Sequence, residues 1–174
     1  NIPRDNKDIK KLFRARDGYK IVQCDLGTAE VYYAAVLSKD KFLQQAFIDK
    51  LDFHSYVAKQ MFNLSCDISD VKKYYANERQ YAKAITFGIM YQAGPAKIAE
   101  TVNKDAAEGE EITKAQSSQF INKYFREAKS LKRFIDDSNK QIENHAFIYS
   151  HFGRKRRLPE SKSPNKGVAS LGIR

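Results

Sequence analysis

The chain has 174 residues, 31 Lys and Arg against 21 Asp and Glu for a net charge of +10, and is 42% hydrophobic with eleven Phe and ten Tyr. That is enough for one domain or one piece of a larger enzyme, and too rich in aromatic residues for a disordered tail. No apolar run approaches the roughly 20 residues that cross a bilayer, a secretory leader is not expected, and two cysteines, Cys24 and Cys66, suit a reducing compartment rather than a disulfide scaffold.

In chain order, the spacing of Ile9, Leu12 and Phe13 predicts a short opening helix, and Asp17-Gly18 a turn. Tyr19 to Leu26 is short, β-branched and turn-bounded, and reads as a strand ending near Asp25. After Gly27-Thr28 the period becomes helical, with Ala29, Tyr32, Tyr33, Val36 and Leu37 on one face. Phe42, Ala46 and Phe47 mark a second helix of this block; Phe53, Tyr56, Val57, Met61 and Phe62 mark a third. Either Asp67 or Ser69 caps the next segment, which runs to about Tyr91 and is stopped by Ala93-Gly94-Pro95. Ile98 to Val102 is a brief helix and Lys104 to Glu111 a loop with an acidic patch at Asp105, Glu108, Glu110 and Glu111.

Thr113 opens one long helix, with Phe120, Tyr124, Phe125, Leu131, Phe134, Ile135 and Ile142 along one side. Ala146 to Phe152 returns to strand, followed by a Gly153-Arg154 turn and a basic tail. From His151 onward, Arg154, Lys155, Arg156, Arg157, Lys162, Lys166 and Arg174 face the single carboxylate Glu160, so more than half of the net charge sits there. Clustered charge of this kind suits a polyanionic partner, although a solvated surface or a localisation signal has the same composition. The layout is strand, helical block, strand, and the two strand regions are expected to pair in one sheet. With Asn1 in place of Met and no closing element at Arg174, the chain reads as a fragment.

Several residues invite chemistry. Arg79, Lys83, Phe87 and Tyr91 are four apart, so on a helix they form one slowly drifting stripe rising about 18 Å, cations at one end and rings at the other. A nucleoside triphosphate has matching polarity, and Arg and Lys suit phosphate oxygens; a plain amphipathic helix with buried rings has the same spacing. Gly88, mid-helix, calls for a packing or close-approach reason. Asp25, at a strand end, suits part of a Mg²⁺ site or the N-cap of the next helix. Glu30 would project near it, or compensate the helix dipole. His54 fits packing or capping. No zinc spacing, P-loop, Rossmann fingerprint or G-x-S-x-G is present.

In combination these features resemble family A DNA polymerases, the group typified by DNA polymerase I, in a bacteriophage-like version. The first polymerase motif, usually Asp-Tyr-Ser-Gln-Ile-Glu-Leu-Arg, reads Asp25-Leu26-Gly27-Thr28-Ala29-Glu30-Val31-Tyr32. The second, built on Arg, Lys and Tyr-Gly, is matched by Arg79, Lys83 and Tyr91, with Gln92 in place of Gly. Asn1-Ile2-Pro3, Leu37-Ser38-x-Asp40, Asp52-x-His54-Ser55 and Gly153-Arg154-x-Arg156-x-Leu158-Pro159 also match in type and order. The resemblance covers nearly the whole chain.

The resemblance implies an α+β, predominantly helical fold, in which a helical fingers subdomain (46–145) is inserted between palm segments 1–45 and 146–174. It implies that Asp25 and the Leu26 carbonyl are metal ligands in a two-Mg²⁺ enzyme, and that Glu30 is the steric gate against a ribose 2′-hydroxyl. Arg79, Lys83 and His54 become triphosphate contacts, with Lys83 also catalytic; Phe87 meets the sugar, and Tyr91 guards the templating site. Arg154, Lys155, Arg156 and Arg157 become DNA contacts. The implied partners are a dNTP, primer-template DNA and a complementary segment with the thumb and the His-Asp-Glu motif, in a cytoplasmic setting with no membrane (the host's cytoplasm for a phage protein). His-Asp-Glu, which carries the second catalytic Asp, is not in these residues, so the isolated chain is expected to be an inactive piece of a split or truncated polymerase. Tyr32 in place of Arg, Thr86 in place of Asn and Gln92 in place of Gly depart from the pattern. The alternative is a non-catalytic basic helical module that binds nucleic acid through its cations and rings.

Overall fold

The computed structural model describes residues 7–104, 106 and 109–173; the expectations placed on Asn1-Ile2-Pro3, Asp105, Glu108 and Arg174 lie outside the described residues. Helix α1 (Lys7–Lys11) is followed by an irregular stretch; α2 (Ala29–Ser38) opens the helical block and turns into α3 (Lys41–Ile48). Then come α4 (Phe53–Phe62), α5 (Ile68–Tyr74), α6 (Ala76–Met90), α7 (Pro95–Asn103), α8 (Lys114–Glu127) and α9 (Lys129–His145). A short antiparallel hairpin, β1 (Phe147–Tyr149) with β2 (Lys155–Arg157), a 3₁₀ turn at Pro159–Lys162 and α10 (Lys166–Ile173) complete the described chain.

The helix boundaries follow local chemistry. Asp52 caps α4, accepting the Ser55 amide at 2.9 Å, and Thr113 opens α8 with a reciprocal capping box to Gln116. Asp40 caps two helices at once: one oxygen accepts the Leu43 amide of α3, and the other accepts the Ser130 and Leu131 amides at the start of α9, at 2.8 and 3.1 Å. It is buried, and it fixes two helices that are 90 residues apart in sequence. Val31, Leu43, Phe53, Val57, Ile85, Ile98, Tyr124 and Leu131 form the centre of a single core between α2, α3, α4, α6, α7, α8 and α9.

Gly88 lets α7 approach α6: a Cβ there would sit 2.4 Å from Ile98 Cγ1. This is the close-approach reason that a mid-helix glycine calls for.

Several expectations need correction. Residues 19–26 form no strand. Strand propensity measures fit to a sheet surface, and among the described residues the one sheet pairs β1 with β2 and offers this segment no partner strand. Tyr19, Ile21, Val22 and Leu26 are 61–82% exposed. The two strand regions do not pair with each other; β1 pairs with β2 in the register Phe147↔Arg157, Ile148↔Arg156, Tyr149↔Lys155.

The inward face of α2 is Val31 and Ala35, while Tyr32, Tyr33, Val36 and Leu37 are exposed. This helix is apolar nearly all round, so its period selects no face. Helix α1 ends at Lys11, leaving Leu12 and Phe13 beyond it and exposed. The long helix after Thr113 is two, broken at Ala128 (ψ 57°), and the segment before Tyr91 is likewise broken at Tyr75 (φ −132°). Asp67 is the residue at the cap position of α5, without a side-chain cap bond.

Candidate active site

A cleft of about 870 Å³ opens between the Cys24–Glu30 segment on one wall and Asp52, His54, Arg79, Lys83 and Phe87 on the other. One wall is the turn into α2; the opposite wall is the start of α4 and one face of α6. The size lies within the range of small-molecule sites. Of the residues singled out from sequence, Asp25, Leu26, Glu30, His54, Arg79, Lys83 and Phe87 all line this one cleft.

Tyr91, 61% exposed at the end of α6, lies in an adjoining groove of about 320 Å³ that shares Lys83 and Phe87 and is floored by Gly88, Ala93 and Ile98. The helical stripe therefore faces open space rather than the core: Lys83 is exposed and Arg79 and Phe87 are half-buried. The buried face of α6 is Tyr81, Ala82, Ile85, Thr86 and Ile89. Arg154, Lys155, Arg156 and Arg157 are exposed on and beside β2 and are not among the residues that line the cleft. Lys155 folds back over the Phe147 ring, 3.7 Å from its centroid.

Asp25 does not cap α2. The cap position is Thr28, held at φ 55° with no side-chain cap bond, so Asp25 stays exposed on the cleft wall. That left-handed turn, unusual for a β-branched residue, carries the chain from Asp25 to Glu30. The Asp25 carboxylate and the Leu26 carbonyl are hard oxygen donors of the kind Mg²⁺ prefers and fit part of such a site. Among the described residues no group of three or more His, Cys, Asp or Glu could hold a metal. Asp25 and Leu26 would therefore be a partial ligand set.

The opposite wall is electrostatically organised by a residue that sequence reasoning gave no role. Asp52 binds the Arg79 guanidinium at two points, Nε to Oδ2 and Nη2 to Oδ1, both 2.8 Å. Arg79, together with Ser55, holds the Asp52 carboxyl below the usual carboxylate range despite burial, and Asp52 raises the Arg79 pKa in turn. An Asp just before an apolar helical run is a cap signal that could have been read from the sequence; its cation partner, 27 residues on, could not.

His54 is buried, its ring 5.8 Å from Phe87, and its Nδ1 has no hydrogen-bond partner. Burial pushes its pKa down to about 4; Asp52 opposes this, while the Arg79 and Lys83 cations reinforce it. The ring is thus neutral at neutral pH.

Two of the three departures from the pattern have local accounts. Gln92 takes φ 52°, the left-handed conformation a Gly supplies easily, so the bend after α6 is kept. Tyr32 packs edge-on against Phe47 at 5.2 Å. Thr86 is fully buried on α6, and nothing in the structure explains its presence in place of Asn.

A family model described as DNA polymerase family A matches residues 1–174. The DNA polymerase of Escherichia phage T5 is 50% identical over 99% of this chain, which spans 22% of that protein. DNA polymerase I of Caldicellulosiruptor bescii is 30% identical over 100% of this chain and 19% of its own length. Among solved structures, the POL domain of Pol1 from M. smegmatis, in complex with DNA primer-template and dNTP, superposes with a TM-score of 0.72 at 25% identity. That likeness covers 86% of this chain and 24% of the other. The chain thus spans about a fifth of the length of the curated relatives it matches. With the motif order, the helical fold and a match along its whole length in agreement, the chain belongs to DNA polymerase family A.

Proposed function

We propose that this chain is the nucleotide-binding part of a DNA-directed DNA polymerase, in which a primer 3′-hydroxyl attacks the α-phosphorus of a dNTP and pyrophosphate leaves. The observation that carries this reading is that Asp25 and Glu30 line the same cleft as Arg79, Lys83 and Phe87. Phosphates are drawn to the Arg79 and Lys83 end. Lys83 stabilises the negative charge that develops on the leaving pyrophosphate, and His54, neutral, adds a polar contact without competing charge. Phe87 packs against the sugar and Glu30 blocks the space a 2′-hydroxyl would need. Tyr91, in the adjoining groove, guards the templating position.

Asp25 and the Leu26 carbonyl hold part of the metal site, the remaining ligands coming from the triphosphate and from a segment with the His-Asp-Glu motif. When bound, two Mg²⁺ ions supply Lewis-acid stabilisation to the attacking and leaving oxygens. Arg154, Lys155, Arg156 and Arg157 contact the duplex backbone with salt-dependent, sequence-independent affinity. In domain terms, 1–45 and 146–174 belong to the palm and 46–145 to an inserted fingers subdomain, working in the cytoplasm. Among the described residues no helix is long and apolar enough to cross a membrane.

The test is primer extension with Mg²⁺ and dNTPs, with and without a segment supplying the second catalytic Asp. Extension is expected with the pair; full activity from the 174 residues by themselves would overturn the partition.

A further inference from the structure

We infer that Asp52 is a positioning residue for the incoming triphosphate: it fixes the Arg79 guanidinium so that its remaining N–H edge faces the cleft. This inference rests on the polymerase reading above. Arg79 has five N–H donors. The pair with Asp52 occupies Nε and one hydrogen of Nη2, which leaves the Nη1–Nη2 end of the fork for a second anion. Asp52 is itself held: its Oδ2 also accepts the Ser55 amide at 2.9 Å and the Ser55 hydroxyl at 2.6 Å, so the carboxylate is anchored to the first turn of α4. Arg79 stands on the first turn of α6. The pair thus ties the helix that carries His54 to the helix that carries Arg79, Lys83 and Phe87.

Exposed ion pairs add little to stability, and here the carboxylate and guanidinium side chains are 44% and 23% exposed. The pair's effect is therefore sought in orientation. A free Arg side chain loses rotamer freedom when it binds a phosphate, and an anchored one has already lost it. The carboxylate also has an opposing effect, since its negative charge repels a triphosphate. The two effects predict opposite changes in KM when the charge is removed, and the bidentate, twice-anchored geometry favours orientation.

The test uses the polymerase that carries this chain, with steady-state primer extension against dNTP concentration. Asp52→Asn keeps a competent helix cap but removes the charge and one acceptor oxygen. We expect KM for dNTP to rise about tenfold with kcat changed less than threefold. In an Arg79→Ala background, where there is nothing left to orient, Asp52→Asn should change KM less than twofold. If Asp52→Asn does not fold, Asp52→Ser replaces it, because Ser keeps a competent helix cap but cannot hold the guanidinium at two points, and the same rise in KM is expected. An unchanged or lower KM, or an equal effect in the Arg79→Ala background, overturns the assignment. Failure of the polymerase reading looks different: the unaltered enzyme would extend no primer at all.

Discussion

The side-chain amides of Gln92 and Asn139 hydrogen-bond to each other in both directions, Gln92 Nε2 to Asn139 Oδ1 at 3.2 Å and Asn139 Nδ2 to Gln92 Oε1 at 2.8 Å. They tie the end of α6, next to Tyr91, to the middle of α9. The residue that departs from the family's glycine thus keeps the left-handed bend and adds a bridge that glycine cannot make. Left-handed backbone costs a non-glycine residue roughly 1–2 kcal/mol, and each neutral hydrogen bond contributes about 1 kcal/mol.

Gln92→Gly should therefore leave stability within about 1 kcal/mol, since relief of strain offsets the lost bonds. Gln92→Ala loses the bonds and keeps the strain, and should cost about 1–2 kcal/mol more than Gln92→Gly. Urea titration of the three proteins checks this order; an alanine variant as stable as the glycine variant would mean that the backbone is not strained there.

How much of this was legible depended on distance along the chain. The stripe Arg79, Lys83, Phe87, Tyr91 and the pairing of Asp25 with Glu30 could be read because helical period and motif order are local. The cap residues Asp40, Asp52 and Thr113 sit where the sequence allows caps. The second set of partners was not legible: Asp40 reaches Ser130, Asp52 reaches Arg79 and Gln92 reaches Asn139, contacts set by packing. The expected strand at 19–26 failed for the same reason. A strand is a property of two segments, and the partner assumed for it, around Phe147, pairs with Arg157.

Gly88→Ala is expected to destabilise the fold by about 1–3 kcal/mol through overpacking. The added methyl would sit 2.4 Å from Ile98 Cγ1, closer than carbon atoms approach, so the buried Ile98 side chain or the helix that carries it must shift. Ile98→Ala by itself should cost about 2–5 kcal/mol as a cavity, but distinctly less in the Gly88→Ala background, where the new methyl fills part of the void. A double-mutant cycle by thermal or chemical denaturation measures this coupling; strict additivity would contradict the contact.

Acid should weaken the fold in two steps. His54 titrates at about 4 in the folded chain against an ordinary 6.5, because it is buried. Between those pH values the unfolded chain binds a proton that the folded chain refuses. Stability therefore falls as pH drops from 6.5 to 4, by at most about 1.4 kcal/mol per pH unit from this group. Asp52 acts lower: Arg79 and Ser55 keep it ionised, so its contribution is present above the ordinary carboxylate pKa and is lost as pH falls beneath it. His54→Gln should flatten the upper step and leave the lower one. A melting temperature in His54→Gln that tracks the parent between pH 6.5 and 4 would show that His54 is not the group responsible.

Asp25 and Glu30 share a cleft wall five residues apart, and they should fail differently. In the proposed reaction Asp25 supplies a metal-binding oxygen, which an alanine lacks. Asp25→Ala should therefore abolish primer extension in the completed enzyme while leaving DNA binding largely intact, because the basic residues 154–157 do not line the cleft. In the same proposal Glu30 acts by occupying space, and a small-group steric distinction amounts to about 1–3 kcal/mol. Glu30→Ala should accordingly keep much of the dNTP activity and raise ribonucleotide incorporation roughly ten- to two-hundred-fold. Competing dNTP and rNTP incorporation on one template measures both. If Glu30→Ala left sugar discrimination untouched while Asp25→Ala abolished extension, Glu30 would lose its assignment and the metal-site reading of Asp25 would stand.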